Sequence, residues 1–151
     1  MITVRQILHK PSDKDLYALT IHGEPASKAN ARRLVQIHGR IVPIKSKKAI
    51  NYSKDFNLQC PEIAKLYEED LAIAMKILYQ SKRPDLDESL ILDLLQGKVY
   101  KNDRSIKLKH VVWGLDRECP RTLVVIGPLE KQEVVINTFN FLVEEEKNSV
   151  T

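Results

Sequence analysis

Little in this sequence points to a cross-linked, zinc-stapled or membrane-spanning protein. Its 151 residues include only two cysteines, Cys60 and Cys119, which share no CxxC spacing and have no histidine pair at ligand spacing beside them. A disulfide framework and a zinc site are therefore not expected, and both residues read as ordinary reduced thiols. No apolar run approaches the roughly 20 residues of a membrane helix. The longest apolar stretches lie around residues 71–78 and 123–126. The opening MITVRQILHK lacks a long apolar core followed by small residues, so it does not read as a secretory signal. An intracellular, cytoplasmic protein with no membrane partner is the expectation. There is no internal repeat and no low-complexity segment. His22, His38 and His110 are scattered without partner spacing and read as surface or core histidines rather than ligands.

The length suits one domain, here 1–151, that can bury a real core. At 43% hydrophobic and 29% charged, the composition is that of an ordinary globular chain. The net charge of +4 is a mild excess, compatible with a polyanionic partner without requiring one. Its distribution says more. From Lys28 through Lys54 there are eight Lys or Arg residues and no Asp or Glu. The acids gather elsewhere, mainly at 62–70, 85–93 and 144–146.

Residues 15–22 alternate as a strand, with Leu16 and Ala18 on one side and Tyr17, Leu19 and Ile21 on the other. Gly23 and Pro25 break it, and 23–33 forms a basic loop. Two apolar stretches, 34–37 and 41–44, flank His38-Gly39-Arg40 and read as a hairpin turning at Gly39. A helix capped by Ser46 follows, with Ala49, Ile50, Phe56 or Leu58 inward, interrupted by Pro61. Another turn or two of helix is expected between 61 and 67. Residues 71–79 read as a central strand leading into a site. Residues 88–96 read as a helix capped by Asp87 and ended by Gly97. A polar loop at 98–104 precedes strands at 105–114 and 121–127, expected to pair with each other. A tail helix over 129–146 puts Val135, Phe139, Leu142 and Val143 on one side. The fold class expected is mixed α/β, a sheet of about five or six strands with helices packed against it.

The segment that can carry chemistry is Pro84-Asp85-Leu86-Asp87-Glu88, followed by Asp93 and then by Asn102-Asp103. Asp85 and Asp87, two apart, project to one side of an extended chain. Asp103 returns beside them if the intervening helix packs back on the sheet. Three convergent carboxylates repel one another unless a cation sits among them. Hard oxygen donors suit Mg²⁺, with Mn²⁺ as a substitute, and such an ion activates water for phosphodiester hydrolysis. Spacing alone leaves the plainer reading open: Asp87 as a helix cap, Asp85 as a solvated turn residue, Asp103 as part of an Asn-Asp turn.

Two segments narrow the choice. PDLDESLILDLLQGKVYKNDRSI (84–106) resembles the signature of the RusA family of Holliday-junction resolvases, in which a DLDN motif opens a helix and a Gly precedes a loop holding another Asp. GEPASKANARR together with GRIVPIKSKKAINY, within 23–52, is similar to the N-terminal pattern of phage members of that family. The matches cover about a third of the chain, in the family's order. The resemblance implies a homodimeric, Mg²⁺-dependent endodeoxyribonuclease that nicks four-way junctions or branched DNA symmetrically, in the host cytoplasm if phage-encoded. It places Asp85, Asp87 and Asp103 on the catalytic, metal-binding aspartates and gives Asp93 a structural role. Lys28, Arg32, Arg33, Lys45, Lys47 and Lys48 would track DNA phosphates, as a basic run without acids should.

Two departures stand out. Glu88 replaces the motif's Asn. The lysine expected on the helix's first turn is absent, with Ser89, Leu90, Ile91 and Leu92 in that region; Lys82, Arg83, Lys98, Lys101 and Arg104 are the candidates to replace it. Two other readings are therefore carried: a catalytically impaired junction-binding protein of the same fold, and a basic RNA-binding domain whose aspartates are only caps and turns. Trp113 and Tyr100 are candidates to stack on an unpaired base, with a core role for Trp113 as the alternative.

Overall fold

The computed structural model describes residues 15–28 and 32–149. The opening MITVRQILHK and positions 29–31 of the basic loop lie outside the described residues. Among the described residues six strands and three α-helices follow in the order β1 (Tyr17–His22), β2 (Arg32–Ile37), β3 (Arg40–Lys45), α1 (Lys47–Gln59), β4 (Leu71–Tyr79), α2 (Ser89–Leu95), β5 (Ile106–Leu115), β6 (Arg121–Pro128) and α3 (Gln132–Ser149). The class is mixed α/β as expected, but the strands divide between two sheets. Four form one sheet in the order β1-β6-β4-β5, and β2 and β3 form a separate two-stranded ribbon.

Strand β4 explains this order. In Leu-Ala-Ile-Ala-Met-Lys-Ile-Leu-Tyr every residue but Lys76 is buried. A strand with no polar face has to be covered on both faces and flanked on both edges. It pairs parallel with β5 and antiparallel with β6. The expected pairing of β5 with β6 is thereby corrected: β4 lies between them, and the loop over 116–120 crosses its end, where the Asp116 N–H donates to the Tyr79 carbonyl at 2.8 Å. Period-two alternation does the rest. Leu71, Ile73, Met75, Ile77 and Tyr79 face α1 and α2, in a core with Phe56, Ile91 and Leu95. Ala72 and Ala74 face α3, whose Val135 and Phe139 pack there. Small residues set that second layer close. A Cβ on Gly127 would come within 2.8 Å of a Val135 methyl. In β1 the alternation is as read, with Tyr17, Leu19 and Ile21 in one layer and Leu16 and Ala18 in the other.

Local signals account for the element ends. The Ser46 side chain accepts from the Ala49 N–H at 3.2 Å and caps α1. The inward face of α1 is Ala49, Tyr52 and Phe56, whereas Ile50 and Leu58, also expected inside, are 40% and 85% exposed. They sit one and two residues away from that stripe, about 100° and 200° around the helix. Residues 61–67 form no helix. They run alongside 98–101 instead: Ile63 N–H donates to the Lys98 carbonyl and Tyr67 N–H to the Val99 carbonyl, both at 2.9 Å. This buries Val99 and Tyr100 completely, so the loop expected to be polar supplies core. Gly97 ends α2 with a φ of 85°. The tail helix forms where it was expected and covers the sheet.

Candidate functional site

The C-terminal end of β4 gathers most of the candidate residues. From Tyr79 the chain enters the loop over 80–88, which carries Lys82, Arg83, Asp85 and Asp87. Two aromatic groups hold this loop. The Tyr79 hydroxyl accepts from the Asp87 N–H at 3.1 Å, and the Trp113 indole N–H donates to the Pro84 carbonyl at 3.2 Å. The two rings stack with centroids 6.1 Å apart. Tyr100 is fully buried and does not stand free to receive a base, whereas Trp113 is half-buried and serves the loop.

Asp87 is tied on both carboxylate oxygens. Oδ1 accepts from the Ser89 N–H at 2.9 Å, at the first turn of α2, and Oδ2 accepts from the Lys28 N–H at 2.6 Å. Partial burial pushes its carboxyl up, but the Lys28 and Ser89 donors outweigh that and hold it below the usual carboxylate range. The cap position of α2 is taken by Glu88, which makes no side-chain cap, and Asp87 lies one residue earlier, receiving the Ser89 N–H and kept ionised at the chain's crossing with Lys28. Each oxygen retains a further acceptor direction. Asp85 is exposed on the same loop. Glu88, the residue departing from the DLDN pattern, forms an ion pair with Lys109 at 3.4 Å.

Glu24 belongs to the same sheet end. Its carboxylate accepts from the Gln80 N–H at 2.7 Å and pairs with Lys48 Nζ at 2.9 Å. Sequence reasoning passed over it. The available signal was its isolation, since Glu24 is the one acid between His22 and Lys54. Through Lys28–Asp87 and Lys48–Glu24–Gln80, both feet of the β2–β3 ribbon are fastened beside the Asp85–Asp87 loop.

Along that ribbon the charge is of one sign. Arg32, Arg33, Arg40 and Lys45 are exposed on the strands, Lys28 is exposed before them, and Lys47 and Lys48 are exposed at the start of α1. Arg32 lies directly opposite Lys45 in the register. Like charges facing across a ribbon destabilise it unless an anion comes between them. The turn is the expected hairpin type, with His38 at φ 50° and Gly39 at φ 78°.

Asp103 is elsewhere. It opens a short 3-10 turn (Asp103–Ser105) just before β5, with the Asn102 side chain accepting from the Arg104 N–H at 2.9 Å, the Asn-based turn foreseen. Gln96, at the far end of α2, accepts from the Asp103 N–H at 2.9 Å. Ile106 pairs with Leu71, the first residue of β4. Helix α2 does pack back on the sheet, but β4 and β5 are parallel, so the returning chain enters β5 at the end opposite the one where it left β4. Within one chain Asp103 stands at the opposite sheet end from Asp85 and Asp87. Among the described residues no three His, Cys, Asp or Glu side chains converge as ligands for one ion. The replacement lysines divide likewise. Lys82 and Arg83 share the Asp85 loop, whereas Lys98, Lys101 and Arg104 belong to the Asp103 end, where Lys101 pairs with Glu68.

Asp85 and Asp87 are the carboxylates of this sheet end that a hard divalent cation would use, each Asp87 oxygen already accepting one backbone N–H. Mg²⁺ is commonly held by one or two carboxylates and completes its shell with water and substrate phosphate oxygens. The cysteines are free as expected, Cys60 buried and Cys119 exposed. Among the described residues no helix is long and apolar enough to cross a membrane. No family model matches the chain, and no curated protein matches it.

Proposed function

We propose that the chain is a Mg²⁺-dependent, structure-selective endodeoxyribonuclease of the RusA type, acting as a homodimer on four-way junctions or other branched DNA. The observation that carries this reading is the shared sheet end: a basic segment free of acids is hydrogen-bonded to the loop bearing Asp85 and Asp87. A duplex following Lys28, Arg32, Arg33, Lys45 and Lys47 by its phosphates would bring a phosphodiester to that loop. Asp85 and Asp87 would hold the ion, and Mn²⁺ could replace Mg²⁺ there. When bound, the ion supplies Lewis-acid stabilisation of the phosphodiester and a more acidic water. Lys82 and Arg83, exposed on the same loop, are placed to donate to a phosphate oxygen in the role of the family's missing lysine. Two equivalent sites related by a two-fold axis would account for paired nicks on a symmetric junction.

A second reading, a junction-binding protein with impaired catalysis, is favoured by the position of Asp103 and by the apolar helix turn where the family has a lysine. Cleavage of a labelled four-way junction in Mg²⁺ by wild type and by Asp87→Asn separates the two. Paired symmetric nicks that vanish in the variant while binding persists are the expected result. Binding without nicks in Mg²⁺ or Mn²⁺ would leave the impaired protein. Preference for RNA over every DNA form would replace both readings with an RNA-binding one.

A further inference from the structure

The β2–β3 ribbon carries more than charge. Its register places Arg32 opposite Lys45, Leu34 opposite Pro43 and Gln36 opposite Ile41, all on one face. That face looks outward: Leu34 and Ile41 are each 72% exposed, and Pro43 is exposed as well. On the other face Val35, Val42 and Ile44 are half-buried, whereas Arg33, Ile37 and Arg40 are exposed. Nothing among the described residues covers Leu34, Ile41 and Pro43, which have Arg32 and Lys45 at one end.

We propose that this face is a wedge for nucleic acid: Leu34 and Ile41 enter between bases at the branch point and unstack them, while Arg32 and Lys45 grip the flanking phosphates. The proposal rests on the reading of the chain as DNA-binding and adds to it how a branch is told from a plain duplex. Three features favour DNA as the occupant. No acid lies on the ribbon, and the facing Arg32 and Lys45 call for an anion between them. A two-stranded ribbon has the width a major groove admits, and apolar side chains inserted at base steps are a recurring device of DNA-bending proteins. The ribbon also springs from the sheet end that holds Asp85 and Asp87, so a branch opened by it lies beside the carboxylates. A second copy of the same face is disfavoured, since it would bring further cations and no acid to the contact.

The test uses a four-way junction with 2-aminopurine next to the branch point, in Ca²⁺ to allow binding without nicking. Wild type is expected to raise the fluorescence several-fold as the base unstacks. Leu34→Ser with Ile41→Ser, which keeps every charge, is expected to remove most of that rise while binding to plain duplex stays within about threefold. An undiminished rise in this double variant overturns the wedge. So does loss, in the variant alone, of dimerisation or of binding to vesicles of anionic lipid, since either would assign the face to another occupant. If wild type binds no DNA at all, the nuclease reading fails and the wedge falls with it, whereas binding without a fluorescence rise overturns the wedge alone. Circular dichroism of the variant guards against simple misfolding, and Arg32→Ala with Lys45→Ala gives a second approach: weaker binding, with fluorescence still raised at saturation.

Discussion

Strand β4 and the β2–β3 ribbon are built from similar residues put to opposite use. Ile73 and Ile77 of β4 have no exposed surface, whereas Leu34 and Ile41 of the ribbon are each 72% exposed. The strand is covered by α1 and α2 on one face and α3 on the other, and flanked by β5 and β6. Among the described residues the ribbon pairs only within its own two strands, and an isolated hairpin is marginal in water. It is held at its feet, by the Ser46 cap, the Lys48–Glu24 pair and the Lys28–Asp87 hydrogen bond. Apolar surface in β4 therefore serves stability, whereas apolar surface on the ribbon stays exposed among the described residues.

The largest effect should come from the site between these two regions. Asp87→Asn is expected to lower single-turnover nicking by about a thousandfold, about 4 kcal/mol in the barrier. Asp103→Asn, at the other sheet end, should cost much less. Equal losses would mean that the two ends meet in the active assembly, through a second copy of the chain.

Next in size is the contrast in stability itself. Ile73→Ala is expected to cost about 3 kcal/mol by urea unfolding, from lost burial and the cavity left behind. Leu34→Ala should stay within about 0.5 kcal/mol. A large cost for Leu34→Ala would show that the ribbon's outer face is covered in solution, and the comparison would collapse.

Charge on the ribbon should act on binding rather than folding. Arg32→Ala or Lys45→Ala is expected to lower the slope of log affinity against log salt by about one unit each. Either should leave unfolding unchanged or slightly harder, because a like-charge pair is relieved.

The smallest effect concerns the sheet's own electrostatic clasp. Arg121 joins Asp116, at 2.6 Å, to Glu146 of α3. Hydrogen bonds from Arg121 and the Cys119 N–H hold the Asp116 carboxyl below its usual range. A depressed carboxyl stabilises the fold above its unfolded value, near about 4, and that contribution fades as pH falls through the lower folded value. Asp116→Asn should thus cost about 0.5–1 kcal/mol near neutrality. The gap between variant and wild type in thermal unfolding should close towards pH 2. A gap that stays constant with pH would assign the loss to packing instead.

What could be read from the residues was local. The alternation of β1, the His38-Gly39 turn, the Ser46 cap, Gly97 after α2 and the apolar side of α3 each express a short-range preference of backbone or side chain. The carboxylates of 85–87 and the acid-free basic run were legible for the same reason, since charge and spacing lie along the chain. Burial of Val99 and Tyr100 was not, because it depends on residues 61–67 lying alongside them. Nor was the place of β4 between β5 and β6, since a pairing order compares strands that are distant in sequence. That order also decided where Asp103 lies. A chain that leaves one strand and joins a parallel neighbour must start again from the opposite end, whatever residues it carries, so tertiary structure alone separated Asp103 from the pair it resembles in sequence.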